Sequence, residues 1–267
     1  MRLARLKEDG GLSLAEFVGD NIPRYAILSH TWGPDQEEVT YKDVMKGTAK
    51  SKPGYAKVQF CGKQAARDNL QYFWVDTCCI NKSSSAELSE AINSMFRWYQ
   101  KAERCYVYLS DVLVNTPNSD GESISSQGWE LAFKKSRWFT RGWTLQEFIA
   151  PASVEFFSKD ESRLGDKRSL ERTLHEVTGI AIHAFQGDHL PNFSIVERMS
   201  WATTRQTQRG EDAAYSLLGI FNIHMPLIYG EGREKAFIRL QKEIKQSLRD
   251  NARAIRDMRL WTVLWLC

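Results

Sequence analysis

No stretch of this sequence approaches the roughly 18 consecutive apolar residues that a membrane-spanning helix needs, so no membrane span is expected. The N-terminus, Met1-Arg2-Leu3-Ala4-Arg5-Leu6-Lys7-Glu8-Asp9-Gly10, breaks its few apolar residues with charge, and no secretory leader is read there. Charge of one sign is also scarce. Thirty-six Lys plus Arg stand against 33 Asp plus Glu, a net +3 that is scattered along the chain. That leaves no footprint for a phosphate backbone, and no nucleic acid is expected as a partner. Cysteine is limited to five residues, Cys61, Cys78, Cys79, Cys105 and Cys267. An odd count, with two adjacent and several inside apolar runs, reads as small buried thiols in a reducing, cytoplasmic compartment. Adjacent cysteines do not easily give two well-placed thiolates, so no metal site and no bound cofactor are expected. Gly230-Glu231-Gly232 lacks the Lys-Ser/Thr of a phosphate loop and reads as a helix-entry turn. No repeat at a period of 20 to 50 residues is found.

What is present is a chain of 267 residues, 42% hydrophobic and 12% aromatic, long enough for one large core or one core with an appendage. Its first half alternates strands with helices, the pattern of a parallel sheet covered on both faces. Tyr25-Ala26-Ile27-Leu28 reads as a buried strand, followed by a polar turn from Ser29 to Pro34 and a helix over 55–69 with Val58, Cys61, Ala65 and Ala66 at helical spacing. Tyr72 to Val75 is a second strand. The Ser83-Ser84-Ser85 stretch caps a helix over 86–102, amphipathic through Leu88, Ile92, Met95, Phe96 and Tyr99. Cys105 to Leu109 is a third strand, Asn115 to Gln127 an exposed loop rich in Ser, Asn, Gly and Pro, and Val154 to Phe157 a fourth strand. Between the last two, Trp129 to Phe133 and Arg141 to Ile149 read as helix around a break near Ser136. Beyond the fourth strand the alternation stops. Residues 164–182 and 194–220 read as helical, and a closing helix carries the stripe Ala236, Phe237, Leu240, Ile244, Leu248. Lys242 to Arg259 reads as a solvated face, and the apolar end Leu260 to Cys267 as a segment packed on the body. The expected fold is therefore α/β: a parallel, flavodoxin-like sheet flanked by helices over 1–160, with an α-helical C-terminal subdomain over 161–267.

In an open parallel sheet, ligands bind outside the carboxyl ends of the strands. Ser29 and His30 follow the first strand, Asp76 the second, and Ser110 with Asp111 the third, while Trp143 and Glu147, four residues apart, share a helix face with Arg141 close by. Plainer readings stand beside this one. Arg141 and Glu147 could be a structural ion pair or cap, Asp76 a cap for the turn after it, and His30 a satisfied core residue. Cys78 or Cys79 with His30 and Asp76 has the residue types of an acyl-transfer nucleophile, and core packing of both thiols is the simpler reading.

The strings Ala26-Ile27-Leu28-Ser29-His30-Thr31-Trp32-Gly33, Trp74-Val75-Asp76-Thr77-Cys78-Cys79-Ile80-Asn81 and Arg141-Gly142-Trp143-Thr144-Leu145-Gln146-Glu147 resemble the three signature blocks of fungal heterokaryon incompatibility (HET) domains, in order and approximate spacing. Met199-Ser200-Trp201-Ala202, Arg205, Arg209, Glu211-Asp212, Ala214 to Phe221 and Pro226 to Gly232 resemble the segment that commonly follows, so the likeness runs over about 23–245. Lys82 departs from the family, which more usually has Gln there. The resemblance implies a cytoplasmic effector of programmed cell death in incompatibility or fungal innate immunity, activated by self-association or through a larger receptor or partner protein.

HET domains are in turn similar to TIR domains, some of which cleave NAD. This more distant likeness implies a TIR-like sheet and NAD as substrate, with Ser136-Arg137-Trp138 preceding a catalytic Glu147, and with Glu130 and Glu155 as fallback acids. One carboxylate suffices for that chemistry, because nicotinamide leaves as a neutral molecule. On this reading Ser29, His30, Trp32, Asp76, Arg141 and Trp143 form the substrate-binding set, with Trp32 or Trp143 stacking on a base and Arg141 pairing with the pyrophosphate. The alternatives are a non-catalytic self-associating signalling module and a cysteine-dependent hydrolase.

Overall fold

The structure, a computed structural model, describes residues 1–19, 21–114 and 128–265, with side chains through residue 250. The loop expected over Asn115 to Gln127 and the packing expected of Leu260 to Cys267 lie outside the described residues and side chains.

Seven strands form one sheet in the order β2-β1-β4-β3-β5-β6-β7. Its centre is the four strands expected from sequence: β3 (Tyr25–His30), β4 (Tyr72–Trp74), β5 (Arg104–Leu109) and β6 (Val154–Ser158). All three of their pairings are parallel. Taken in chain order the four lie second, first, third, fourth, a flavodoxin-like arrangement. Every residue of β3 is buried, as expected of a strand covered on both faces, which is why these strands read as continuous apolar runs. Trp74 packs edge-on to Trp98 and Tyr99 on one face, whereas Phe73 meets Gly62 on the other. Helices α1 (Tyr41–Lys46) and α2 (Tyr55–Arg67) precede β4, and α3 (Asp76–Cys79) and α4 (Ser85–Lys101) precede β5. The aromatic pairs therefore put α2 and α4 on opposite faces. Ser84 caps α4 as the serine run predicts, accepting from Glu87 N at 3.3 Å.

The edges are antiparallel and were not expected. At one, β1 (Arg2–Leu6) and β2 (Leu12–Glu16) form a hairpin. At the other, β7 (Arg163–Asp166) pairs with β6, so the sheet continues past residue 160 and the helix expected over 164–182 starts late. After β5 come α5 (Gly128–Lys134), a 3₁₀ turn (Arg137–Thr140) and α6 (Thr144–Ile149). Arg141 lies before α6, not on it. The rest of the chain is α7 (Glu171–Thr178), α8 (Ile182–Phe185), α9 (Ile195–Ser200), α10 (Asp212–Tyr215), α11 (Leu218–Phe221) and α12 (Arg233–Trp265). The stretch expected to be helical over 194–220 is three short helices with turns between them. Gly230 and Gly232 adopt φ of 98° and 85° just before α12, as the helix-entry turn requires. Of the α12 stripe, Ala236, Leu240 and Ile244 are buried but Leu248 is 51% exposed, so burial of the stripe ends there.

The two halves are joined at residues 140–142. Gly142 N donates to Gln206 O at 2.9 Å and Gln206 N donates to Thr140 O at 2.6 Å, a short parallel bridge. A side chain on Gly142 would meet Thr207 Cγ2 at 2.5 Å, so this approach needs glycine. Gly219 on α11 lies as close to α4, where an added Cβ would sit 2.1 Å from Phe96 Cβ.

Candidate functional site

A cleft of about 390 Å³ opens at the carboxyl ends of β3 and β4, where an open parallel sheet is expected to bind its ligand. His30, Trp32, Asp76, Arg141, Trp143 and Glu147 all line it. Ser29 lies behind the acid and bonds to it. The other candidates fall elsewhere: Glu130 is exposed on α5, Glu155 pairs with Arg163 at 2.7 Å, and Asp111 accepts from Ser136 Oγ at 2.7 Å and Arg137 N at 2.8 Å. Ser110 does not line the cleft.

Glu147 sits in the first turns of α6 and is 7% exposed. Ser29 Oγ donates to its Oε2 at 2.5 Å, and Trp138 Nε1 donates to Ser29 Oγ at 2.8 Å. Of Ser136-Arg137-Trp138, it is Trp138 that reaches the acid, through Ser29. Burial, reinforced by the charge of Asp76, pushes the Glu147 carboxyl up to about 8, against the hydrogen bond from Ser29 and the charge of Arg205. No ion pair joins it to Arg141 among the described residues, so the structural-pair reading of those two does not hold. Arg205, buried, lies nearby and donates to Arg141 O at 2.9 Å and Thr144 Oγ1 at 2.8 Å. It anchors the start of α6 to the helical half. At the other end of α6, Lys167 Nζ donates to Pro151 O at 2.7 Å, and burial draws its ammonium down to about 7.

Asp76 is the first residue of α3. Its Oδ2 accepts from Trp32 Nε1 at 2.8 Å, so it fixes the neighbouring Trp32 side chain on the same wall of the cleft instead of capping the turn after it. His30 Nε2 is 3.7 Å from Asp76 Oδ1. Burial, with the cations Lys57 and Lys82 beside it, holds the His30 imidazolium well below its ordinary range. The ring is therefore neutral and this contact is not an ion pair. His30 Nε2 is buried with no hydrogen-bond partner among the described residues, an unsatisfied group on a cleft wall. Cys78 and Cys79 are buried on α3, and the hydrogen bond of the Cys78 thiol to Cys79, with burial, pushes that thiol well up. No contact joins either thiol to His30 among the described residues. Among the described residues no hydrogen bond to a base supports the cysteine-nucleophile reading, and burial disfavours the Cys78 thiolate.

The opposite wall was not anticipated as site. It consists of Gln208, Arg209, Asp212 and Tyr229, with Lys82 and Asp35 at the rim. Tyr229 donates its hydroxyl to Asp212 Oδ1 at 2.9 Å, and Trp143 also bonds to Asp212. The Arg209 guanidinium lies 4.3 Å over the Tyr229 ring, and Lys82 Nζ 3.5 Å over that of Trp32. Glu211 Oε1 accepts from Gly230 N at 2.9 Å and Gly232 N at 3.0 Å, pinning the turn that carries Tyr229. No group of His, Cys, Asp or Glu suited to a metal ion occurs among the described residues.

Residues 25–120 match the family model described as heterokaryon incompatibility protein (HET). Over 245 residues the chain is 60% identical to vegetative incompatibility protein HET-E-1 of Podospora anserina, an alignment covering 91% of this chain and 18% of that protein. The chain thus spans less than a fifth of that relative's length. No solved structure matches.

Proposed function

Since this chain belongs to the heterokaryon incompatibility (HET) family, we propose that it is a cell-death effector of vegetative incompatibility that acts by hydrolysing NAD to nicotinamide and ADP-ribose. The observation that carries this reading is the convergence on one cleft of a buried acid, Glu147, with Trp32, Trp143, Arg141 and Asp76, drawn from three separate stretches of sequence. Glu147 is the catalytic acid of the proposal. Its carboxyl, raised to about 8, holds its proton at neutral pH, and the cationic nicotinamide ring of the substrate favours its ionised form. The bond between ribose C1′ and the nicotinamide nitrogen breaks with its electron pair going to the ring, which departs neutral. The carboxylate stabilises the oxocarbenium charge left on the ribose. Water adds to C1′ and releases a proton to solvent. Ser29 and Trp138 orient the acid, and His30 offers an unsatisfied nitrogen to a ribose hydroxyl. The test is nicotinamide release by the purified chain at high concentration, compared with Glu147→Gln. Turnover that disappears in the variant supports the reading; none from the parent under crowded conditions overturns it.

A second reading, a signalling module that works by self-association, is favoured by one observation. An apolar groove between α9 and α12 is lined by Ile195, Val196, Met199 and Ile244, with Val196 78% exposed; such faces mark interaction sites. Cell death that survives Glu147→Gln and is lost in Val196→Asp would select this reading. A larger receptor or partner protein that enforces proximity is compatible with both, the matched relative being much longer. As for site of action, no helix of the described residues is long and apolar enough to cross a membrane, and we place the effector in the cytoplasm.

A further inference from the structure

The reaction above needs Glu147 but leaves the helical wall of the cleft unused. That wall holds Arg209 on a prepared shelf. Asp212 takes the Tyr229 hydroxyl at 2.9 Å, the Tyr229 ring lies under Arg209 at 4.3 Å, and Glu211 ties down the turn that carries Tyr229. Arg209 makes no ion pair within 4.0 Å among the described residues. Across the same cleft, the Arg141 guanidinium makes no hydrogen bond, ion pair or ring contact among the described residues, because Arg205 and Thr144 engage only its backbone carbonyl. Burial also favours the uncharged form of Asp212, which weakens the nearest competitor for an anion. Two guanidiniums with free donors facing one cleft match the oxygens of a diphosphate, which they can grip at two points. Trp143, adjacent to Arg141 in sequence and half-buried on the same cleft, offers a ring for a base.

We propose that Arg209, on the Tyr229–Asp212 shelf, and Arg141 form a nucleoside-diphosphate subsite, so that the helical segment after the sheet recognises the part of the ligand that does not react. The proposal rests on the cleft being a nucleotide site, as in the functional reading, but not on turnover there.

Calorimetric titration of the full chain with ADP, AMP, adenosine and inorganic pyrophosphate tests it. ADP is expected to bind at least about tenfold more tightly than AMP, adenosine or pyrophosphate. Arg209→Ala and Arg141→Ala are each expected to weaken ADP at least about tenfold while changing adenosine less than about twofold. Arg209 is exposed, so Arg209→Ala should keep the parent's melting temperature, and Arg209→Lys should restore only part of the affinity because a point charge lacks the fork. Equal binding of ADP and adenosine, of ADP and pyrophosphate, or of ADP to the parent and Arg209→Ala overturns the subsite. ADP binding that depends on Arg209 in a chain that never releases nicotinamide retains the subsite and rejects the hydrolase. Release of nicotinamide with ADP binding indifferent to Arg209 does the reverse.

Discussion

The two walls of the cleft carry the same kinds of residue, acids, cations and aromatic rings, in opposite physical settings. On the sheet side, Ser29, His30, Glu147 and the supporting Trp138 are buried and bonded to neutral partners or to none. Their protonation states accordingly depart from the ordinary. On the helical side, Arg209 is exposed where solvent screens its charge, and Asp212, half-buried with its carboxyl raised by burial, is held by the Tyr229 hydroxyl. Burial makes groups reactive and costly, whereas exposure leaves them as recognition groups that can change at little expense to the fold. The first wall should therefore govern rate and pH dependence, and the second affinity.

The largest expected effect comes from the sheet side. Glu147→Gln keeps an acceptor for Ser29 but cannot ionise, so nicotinamide release should fall by about a thousandfold, while Asp212→Asn should act chiefly on KM. An equal loss of kcat in both would break the distinction between the walls. Next is pH. The folded chain keeps the Glu147 proton up to about 8, above the ordinary carboxylate range in the unfolded chain, so this group's contribution to stability falls as pH climbs through that window and levels off above it. The cost of ionising it in place is at most about 5 kcal/mol by linkage. Glu147→Gln should therefore gain stability relative to the parent as pH rises towards 9, measured by urea unfolding. The difference between the two chains cancels Lys167, whose buried ammonium, drawn down to about 7, favours folding as pH rises above that value. In the same window kcat/KM of the parent should rise with pH. Curves for the two chains that stay parallel would place the Glu147 carboxyl in the ordinary range. Arg205→Met should destabilise by about 3 kcal/mol, since buried Thr144 Oγ1 and the Arg141 carbonyl lose their donor; a loss below about 1 kcal/mol would mean that Arg205 does not anchor α6. The smallest effect is a displacement: Ser29→Ala should move the midpoint of the pH profile upward, because the lost hydrogen bond favours the ionised acid.

Much of the sheet side was legible in the sequence, and for a physical reason. Strands buried on both faces must be apolar throughout, so Tyr25 to Leu28 and Cys105 to Leu109 stand out, and the polar residues that end them mark the cleft. The antiparallel edges were missed because each has a wet face that interrupts the pattern with charge. Asp9-Gly10, with Gly10 at φ 76°, is the turn signal that would have revealed the β1–β2 hairpin. The helical wall was missed as site for another reason. Arg209 and Tyr229 stand on short turns and Asp212 opens the four-residue α10, too short for a period to show, and only the fold brings them opposite Glu147. Arg209, Asp212 and Tyr229 lie in the stretches that resemble the family, yet nothing local separates them from their neighbours.

The bridge at residues 140–142 has a consequence for control. Thr140, Gly142 and the Arg141 carbonyl are bonded to the helical half through Gln206 and Arg205, and α6 begins two residues later with Trp143 as its cap and the acid in its opening turns. The acid therefore cannot stay in register with Ser29 if the helical half swings away as a rigid body. Either the three bonds break or α6 is dragged off the sheet. A pull on the helices would thus be transmitted through these few atoms to the start of α6, and with it to the carboxyl of Glu147.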